Sequence, residues 1–218
     1  MAFDSDPQSI LGDLIGMAKK AGAEAADVSF STGDALSVEV RLGALEGVER
    51  SESKSIALRA LIGKRQAAAT STDLSAAGLK ELAERVVAMS KLAPEDKFCG
   101  LADRDLLAKN FPDLDIEDKA TPDPKTLEQL ALQAEEIGRA VPGVTNSEGA
   151  GADFNHGASA YATSDGFYGY RRGTSYGIGA AMLAERDGAK ESGYDSKNER
   201  FFADLKLPAP LDEASDLL

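Results

Sequence analysis

Residues 36–92 read LSVEVRLGALEGVERSESKSIALRALIGKRQAAATSTDLSAAGLKELAERVVAMSKL, and the fold is decided there. Leu36, Val38, Val40 and Leu42 alternate with Ser37, Glu39 and Arg41, the period of two that buries one face of a strand. Val48 with its flanks, then Ile56, Leu58, Ala60 and Ile62, continue the alternation. Gly63-Lys64 marks a turn, and residues 66–70 return as a strand of small side chains. Three or four short strands are expected. Ser71, Thr72 and Asp73 then offer caps for a helix in which Leu79, Leu82, Ala83, Val86 and Met89 recur at helical spacing, with Pro94 as its stop.

Upstream, Asp6-Pro7 reads as a cap followed by a first-turn proline. Ile10, Leu11, Leu14, Ile15 and Ala18 form one apolar stripe, Lys19 and Lys20 suit the negative end of the helix dipole, and Gly22 closes the helix. Ala26, Val28 and Phe30 alternate as a strand, and Gly33-Asp34 is expected to turn into the central meander. Residues 1–94 thus read as a helix–meander–helix unit. Both helices have a single apolar stripe, so they are expected to pack on one sheet face.

Downstream, residues 95–123 change character. Asp and Glu outnumber Lys and Arg by nine to four, and prolines 94, 112, 122 and 124 punctuate the stretch. This reads as an acidic, solvated linker with a short helical turn near Asp103–Ala108. Asp113-Leu114-Asp115 lacks the dense ligand ladder and inner glycine of a calcium loop. Asp123-Pro124 opens the next helix, with Leu127, Leu130, Ala131, Ala134 and Ile137 as its stripe and Pro142-Gly143 as its stop. From Val144 the chain carries most of its aromatic residues between glycines, an antiparallel meander with a hairpin turn at 185–188. Residues 124–207 form this second unit. Residues 208–218 read as the start of a further, C-terminal domain, because Asp212-Glu213-Ala214 resembles a helix N-terminus without its helix. Residues 55–64 are faintly echoed by residues 177–188. The fold class expected is α+β: antiparallel meanders packed with helices, two α/β layers joined by an acidic linker.

The 218 residues carry a net charge of −13, which repels phosphate and argues against nucleic acid as a partner. No run of apolar residues reaches the roughly 20 needed to span a membrane, and the first eight residues lack the basic and apolar regions of a signal peptide. A single cysteine, Cys99, fits a reducing, cytoplasmic compartment. Chemistry is sparse. His156, the only histidine, reads as a turn residue between Asn155 and Gly157. Zinc needs three or four ligands, and neither a nucleophile elbow nor a phosphate loop is present. Catalysis by Cys99 or His156 requires the two within hydrogen-bond reach. The run Phe167-Tyr168-Gly169-Tyr170-Arg171-Arg172 reads as cross-strand aromatic packing with a basic tip. Small-residue strands at 67–71 and 173–179 are expected at sheet edges, where an extended peptide can add.

Several pieces carry a family resemblance: Ala68-Ala69-Thr70-Ser71-Thr72-Asp73-Leu74-Ser75, then Cys99 to Ala108 with Pro112-Asp113-Leu114-Asp115, then Val144 to Ala150 and Thr163-Ser164-Asp165-Gly166-Phe167. In order and in kind they resemble the PmbA (TldE) branch of the TldD/PmbA family over about residues 11–195. The resemblance implies the N-terminal half of a non-metal subunit in a metallopeptidase complex acting on extended peptides. It implies no cofactor in this chain, with zinc held by a TldD-like partner whose histidine motif lies in a C-terminal half. No catalytic or metal-binding residue carries over. Asn146, Ser147 and Glu148, which would otherwise simply shape a turn, are the candidates for peptide or partner contact. Some family members are called modulators of DNA gyrase, so the alternative expectation is a peptide- or protein-binding module without proteolysis.

Overall fold

The computed structural model describes residues 7–207. Three helices, α1 (Pro7–Ala21), α2 (Ala76–Leu92) and α3 (Pro124–Arg139), accompany six strands: β1 (Ala25–Arg41), β2 (Ala44–Ile62), β3 (Arg65–Ser71), β4 (Val144–Thr163), β5 (Tyr168–Arg186) and β6 (Ala189–Glu199). The fold is α+β, with an antiparallel sheet of strand order β3-β2-β1-β4-β5-β6. The order is a palindrome, each half being a helix followed by a three-stranded meander. The echo between residues 55–64 and 177–188 falls on the outer hairpins of these halves, β2–β3 and β5–β6.

The strands are fewer and longer than the alternation suggests. β1 has 17 residues and β2 has 19. Gly33-Asp34 makes no turn, and β1 runs straight through it. A side chain at Gly33 would come within 3.0 Å of the Ser53 hydroxyl, so the glycine serves a close approach between strands. The turn falls instead at Leu42-Gly43, both at positive φ. In the same way Gly149, Gly151, Gly157 and Gly173 lie inside β4 and β5, as does His156. Helix α2 begins one turn later than Ser71–Asp73: the Ser75 hydroxyl accepts from Gly78 N at 3.1 Å, while Asp73 accepts from Ser75 N at 2.9 Å. Asp123 caps α3 as expected, accepting from Thr126 N at 2.7 Å. The cap expected at Asp6 and the further domain from residue 208 lie outside the described residues. No helix among them is long and apolar enough to cross a membrane.

The chain forms two compact units. Residues through Gly33, Ser53–Leu114 and Gly157–Arg172 make one, and Asp34–Glu52, Asp115–His156 and the residues from Gly173 make the other. In the first, α1 and α2 lay Leu11, Leu14, Leu79, Leu82 and Val86 on Val28, Phe30, Ile56 and Leu58. The opposite sheet face there holds a buried ion pair. Arg59 donates twice to one Asp27 oxygen and once to Gln66 at 3.1 Å. Removing the guanidinium strands a carboxylate whose side chain is 11% exposed. Arg59→Met should therefore destabilise by about 2 kcal/mol, below the full cost for a buried pair because Arg59 is partly exposed. The double variant Asp27→Leu/Arg59→Met should recover most of that loss in urea denaturation. Phe167 packs against Tyr161 and Phe111, each with ring centroids 6.0 Å away, in line with the aromatic packing expected of its run.

In the second unit, α3 lays Leu127, Ala131 and Ala134 on Val38, Val40, Ala152, Phe154 and Ile178. The acidic connection is docked here rather than fully solvated. Thr174 N donates to Ile116 O at 2.9 Å, Asp118 N to Thr174 Oγ1 at 2.9 Å, and Phe202 N to Asp118 at 2.7 Å. The segment 173–179 expected at a sheet edge is therefore covered, by β6 from Tyr176 onward and by the connection at Thr174. The segment 67–71 does lie on an edge strand, β3.

Candidate functional site

The face of the second unit's sheet opposite α3 is a trough. Its floor follows from strand periodicity. Ala150, Ala152, Ile178 and Ala180 point into the core, so Gly149, Gly151, Gly177 and Gly179 fall on the other face. Two adjoining hollows of about 400 and about 330 Å³ share Glu39, Gly151, Gly179 and Ser196. Three of these glycines are needed by their neighbours. A Cβ at Gly177 would collide with the Asp153 carboxylate, one at Gly179 would lie 3.1 Å from Asp195 O, and one at Gly151 would lie 3.3 Å from Val38 O.

The rim is acidic. Glu39, Glu46, Glu148, Asp153 and Asp195 line the hollows, and the lining holds no Lys, Arg, His or Cys. Burial pushes the Asp153 carboxyl above its ordinary range, partly opposed by the Asn155 amide, which donates to it at 2.7 Å. Such a surface can bind an extended chain bearing amines or guanidinium groups.

The structure parts the three candidate contact residues, all of which lie in β4 rather than in a turn. Glu148 is exposed on the trough, accepting from Ser192 Oγ at 3.0 Å. Ser147 is fully buried: its hydroxyl accepts from Gly149 N at 3.1 Å and its carbonyl from Arg41 at 3.0 Å. Asn146 is half-buried and accepts from Ser147 N at 2.9 Å. Glu39, Asp153 and the glycine floor were not singled out from the sequence. Their signal was the pair of Gly-x-Gly steps at 149–151 and 177–179, each bracketing a core residue. His156 Nε2 lies 2.9 Å from Glu117 Oε1, and Cys99 is buried with its carbonyl accepting from Lys64 at 3.3 Å. Among the described residues no three His, Cys, Asp or Glu side chains are grouped to hold a metal ion.

Residues 26–90 match the family domain described as PmbA/TldA metallopeptidase domain 1, and residues 109–216 match the PmbA/TldA metallopeptidase central domain. The chain is 31% identical over 208 residues to the metalloprotease PmbA homolog of Haemophilus influenzae, covering 95% of this chain and 46% of that protein. It is 30% identical over 191 residues to metalloprotease PmbA of Escherichia coli O157:H7, covering 87% and 42%. The chain thus spans about half the length of the curated relatives it matches. Two solved structures share the fold. A candidate modulator of DNA gyrase from Bacteroides thetaiotaomicron has a TM-score of 0.89 at 19% identity, covering 100% of this chain and 50% of that one. TldE from Thermococcus kodakarensis has a TM-score of 0.75 at 13% identity, covering 88% and 43%. Sequence identity along nearly the whole chain, two family domains in order and the shared α+β fold together place the chain in the PmbA/TldD family, on its PmbA (TldE) branch.

Proposed function

We propose that the chain is the N-terminal part of a non-metal subunit that joins a TldD-like zinc subunit in the cytoplasm to process extended peptides. The 31% identity to a metalloprotease PmbA homolog, spread over 95% of the chain, carries this reading. The trough supports it. An extended strand laid over the glycine floor meets the short side chains of Asp153, Ser196 and Asn198 there, and the carboxylate rim favours basic residues. In this reading the chain supplies walls and docking surface, and the reactive metal sits in the partner subunit. Zinc there would polarise the scissile carbonyl and activate water.

Mixing the chain with a purified TldD-like subunit should yield a co-eluting complex. Hydrolysis of an extended basic peptide should rise at least about tenfold over either component alone. Glu39→Gln/Asp195→Asn should lower that rate for a lysine-rich peptide and leave a neutral peptide less affected. Failure to co-elute, or hydrolysis by the zinc subunit indifferent to this chain, would overturn the proposal. The name of the Bacteroides structure favours a second reading, a binding module acting on gyrase without proteolysis. Co-elution with gyrase and not with the zinc subunit would select it.

A further inference from the structure

The first unit carries a second concave surface, independent of the trough. A groove of about 550 Å³ runs between α1 and α2. Met17, Ala21, Ala83 and Val87 make its apolar floor, and Lys20, Lys80 and Lys91 stand on its rim. Glu84 is its only acid, 3.9 Å from Lys80. The groove is therefore net positive in a chain whose overall charge is −13. A local reversal of sign around an apolar floor selects an acidic occupant.

The helix glycines add an independent observation. Gly78 and Gly138 are required by their surroundings, since a Cβ would meet Asp73 O at 2.9 Å in one case and Met182 Cε at 2.7 Å in the other. Gly12 and Gly16 of α1 would meet nothing within 4 Å among the described residues. Each weakens the helix by about 1 kcal/mol relative to alanine without a contact among the described residues to explain it. They step at i, i+4 toward Lys20 and lie beside the groove rather than in its lining. Small residues in such a row let another helix approach closely.

We infer that the α1/α2 groove is the docking site for an acidic amphipathic helix of a partner protein. The eleven steps from Lys80 to Lys91 span about 16 Å of α2, so three helical turns of the occupant reach both rim lysines. Its apolar stripe covers Met17, Ala83 and Val87, and its carboxylates meet the lysines. The inference does not depend on the metallopeptidase reading.

A fluorescein-labelled synthetic peptide of about 16 residues, with leucines along one face and glutamates along the other, tests this by anisotropy. It should bind, and salt should weaken the binding. Lys20→Glu/Lys91→Glu should weaken it at least about tenfold, and so should exchanging the glutamates of the peptide for lysines. Gly16→Leu should also weaken binding while leaving the melting temperature equal or higher, since it improves the helix and meets open space. Absent binding, equal binding of both peptides, or indifference to these variants would overturn the inference. So would a concentration-dependent dimer that Gly16→Leu abolishes, which assigns the groove to a second copy. Co-sedimentation with anionic phosphatidylglycerol vesicles, lost in Lys20→Glu/Lys91→Glu, assigns it to lipid and overturns it equally.

Discussion

Tyr176→Ala should lower the unfolding free energy by about 4 kcal/mol, the largest loss expected from a single side chain in the second unit. The ring is fully buried, stacked on Phe154 at 5.3 Å and tilted against Phe202 at 5.4 Å, so truncation opens a cavity between two aromatic neighbours. The hydroxyl donates to Ala120 O at 2.7 Å and ties the acidic connection to β5. Tyr176→Phe keeps the packing and loses the hydroxyl with its polar contacts, at about 1 kcal/mol. Burial, and then the neighbouring Asp118 charge, push the Tyr176 hydroxyl from 10.0 up to about 12. A folded-state value above the unfolded one gives stability that is complete below the unfolded value and is lost as pH rises toward the folded one. The wild type should therefore lose stability between pH 10 and 12 more steeply than Tyr176→Phe. Urea denaturation of the three proteins at pH 8 and pH 11 separates the packing, hydrogen-bond and ionisation contributions. Equal alkaline slopes for wild type and Tyr176→Phe would refute the last of them.

Glu135→Ala should be next, at about 3 kcal/mol. The carboxylate lies on the core side of α3 at 1% exposure, and it accepts from Leu42 N and Gly43 N, both at 2.7 Å. Those two N–H groups belong to the β1–β2 turn, where Leu42 sits at a φ of 51°, a conformation that a leucine adopts at a cost. Burial alone would raise the carboxyl, but donors from Ser147, Gly43 and Leu42, with the Arg139 charge, hold it below its ordinary 4.5. A depressed value means stability present above about pH 4.5 and lost as pH falls through the folded-state value. The gap between wild type and Glu135→Gln should accordingly be wide at pH 7 and narrow toward pH 3. A gap that stays constant across that range would show that the turn is held by packing and not by the charge.

Glu135 also shows what periodicity hides. Spacing puts it on the apolar face of α3, eight residues after Leu127 and four after Ala131, but says nothing of what a buried glutamate meets there. The two turn N–H groups that it holds are 92 and 93 residues away along the chain. His156 misled for the same reason. Between Asn155 and Gly157 it reads as a turn, yet it lies in β4, paired with Glu117. Glycines read as punctuation were in several cases spacing devices, as at Gly151 and Gly33, where a Cβ would crowd Val38 O and the Ser53 hydroxyl.

From the order of residues alone came the α+β class, the three helices with their stripes, the Asp123 cap, the hairpins at Gly63-Lys64 and Asp187-Gly188, and the kinship to the PmbA branch. The helices, the cap and the hairpins depend on contacts within a few turns of helix or across a tight loop, where spacing is sufficient information, whereas the kinship rests on a resemblance of motifs. The length of the strands, the pairing of glycine steps into a trough, the burial of Glu135 and Tyr176 and the basic groove between α1 and α2 belong to the tertiary structure. Each is set by residues far apart in the chain, and a strand pattern of period two says which face a residue takes but not what the neighbouring strand places beside it.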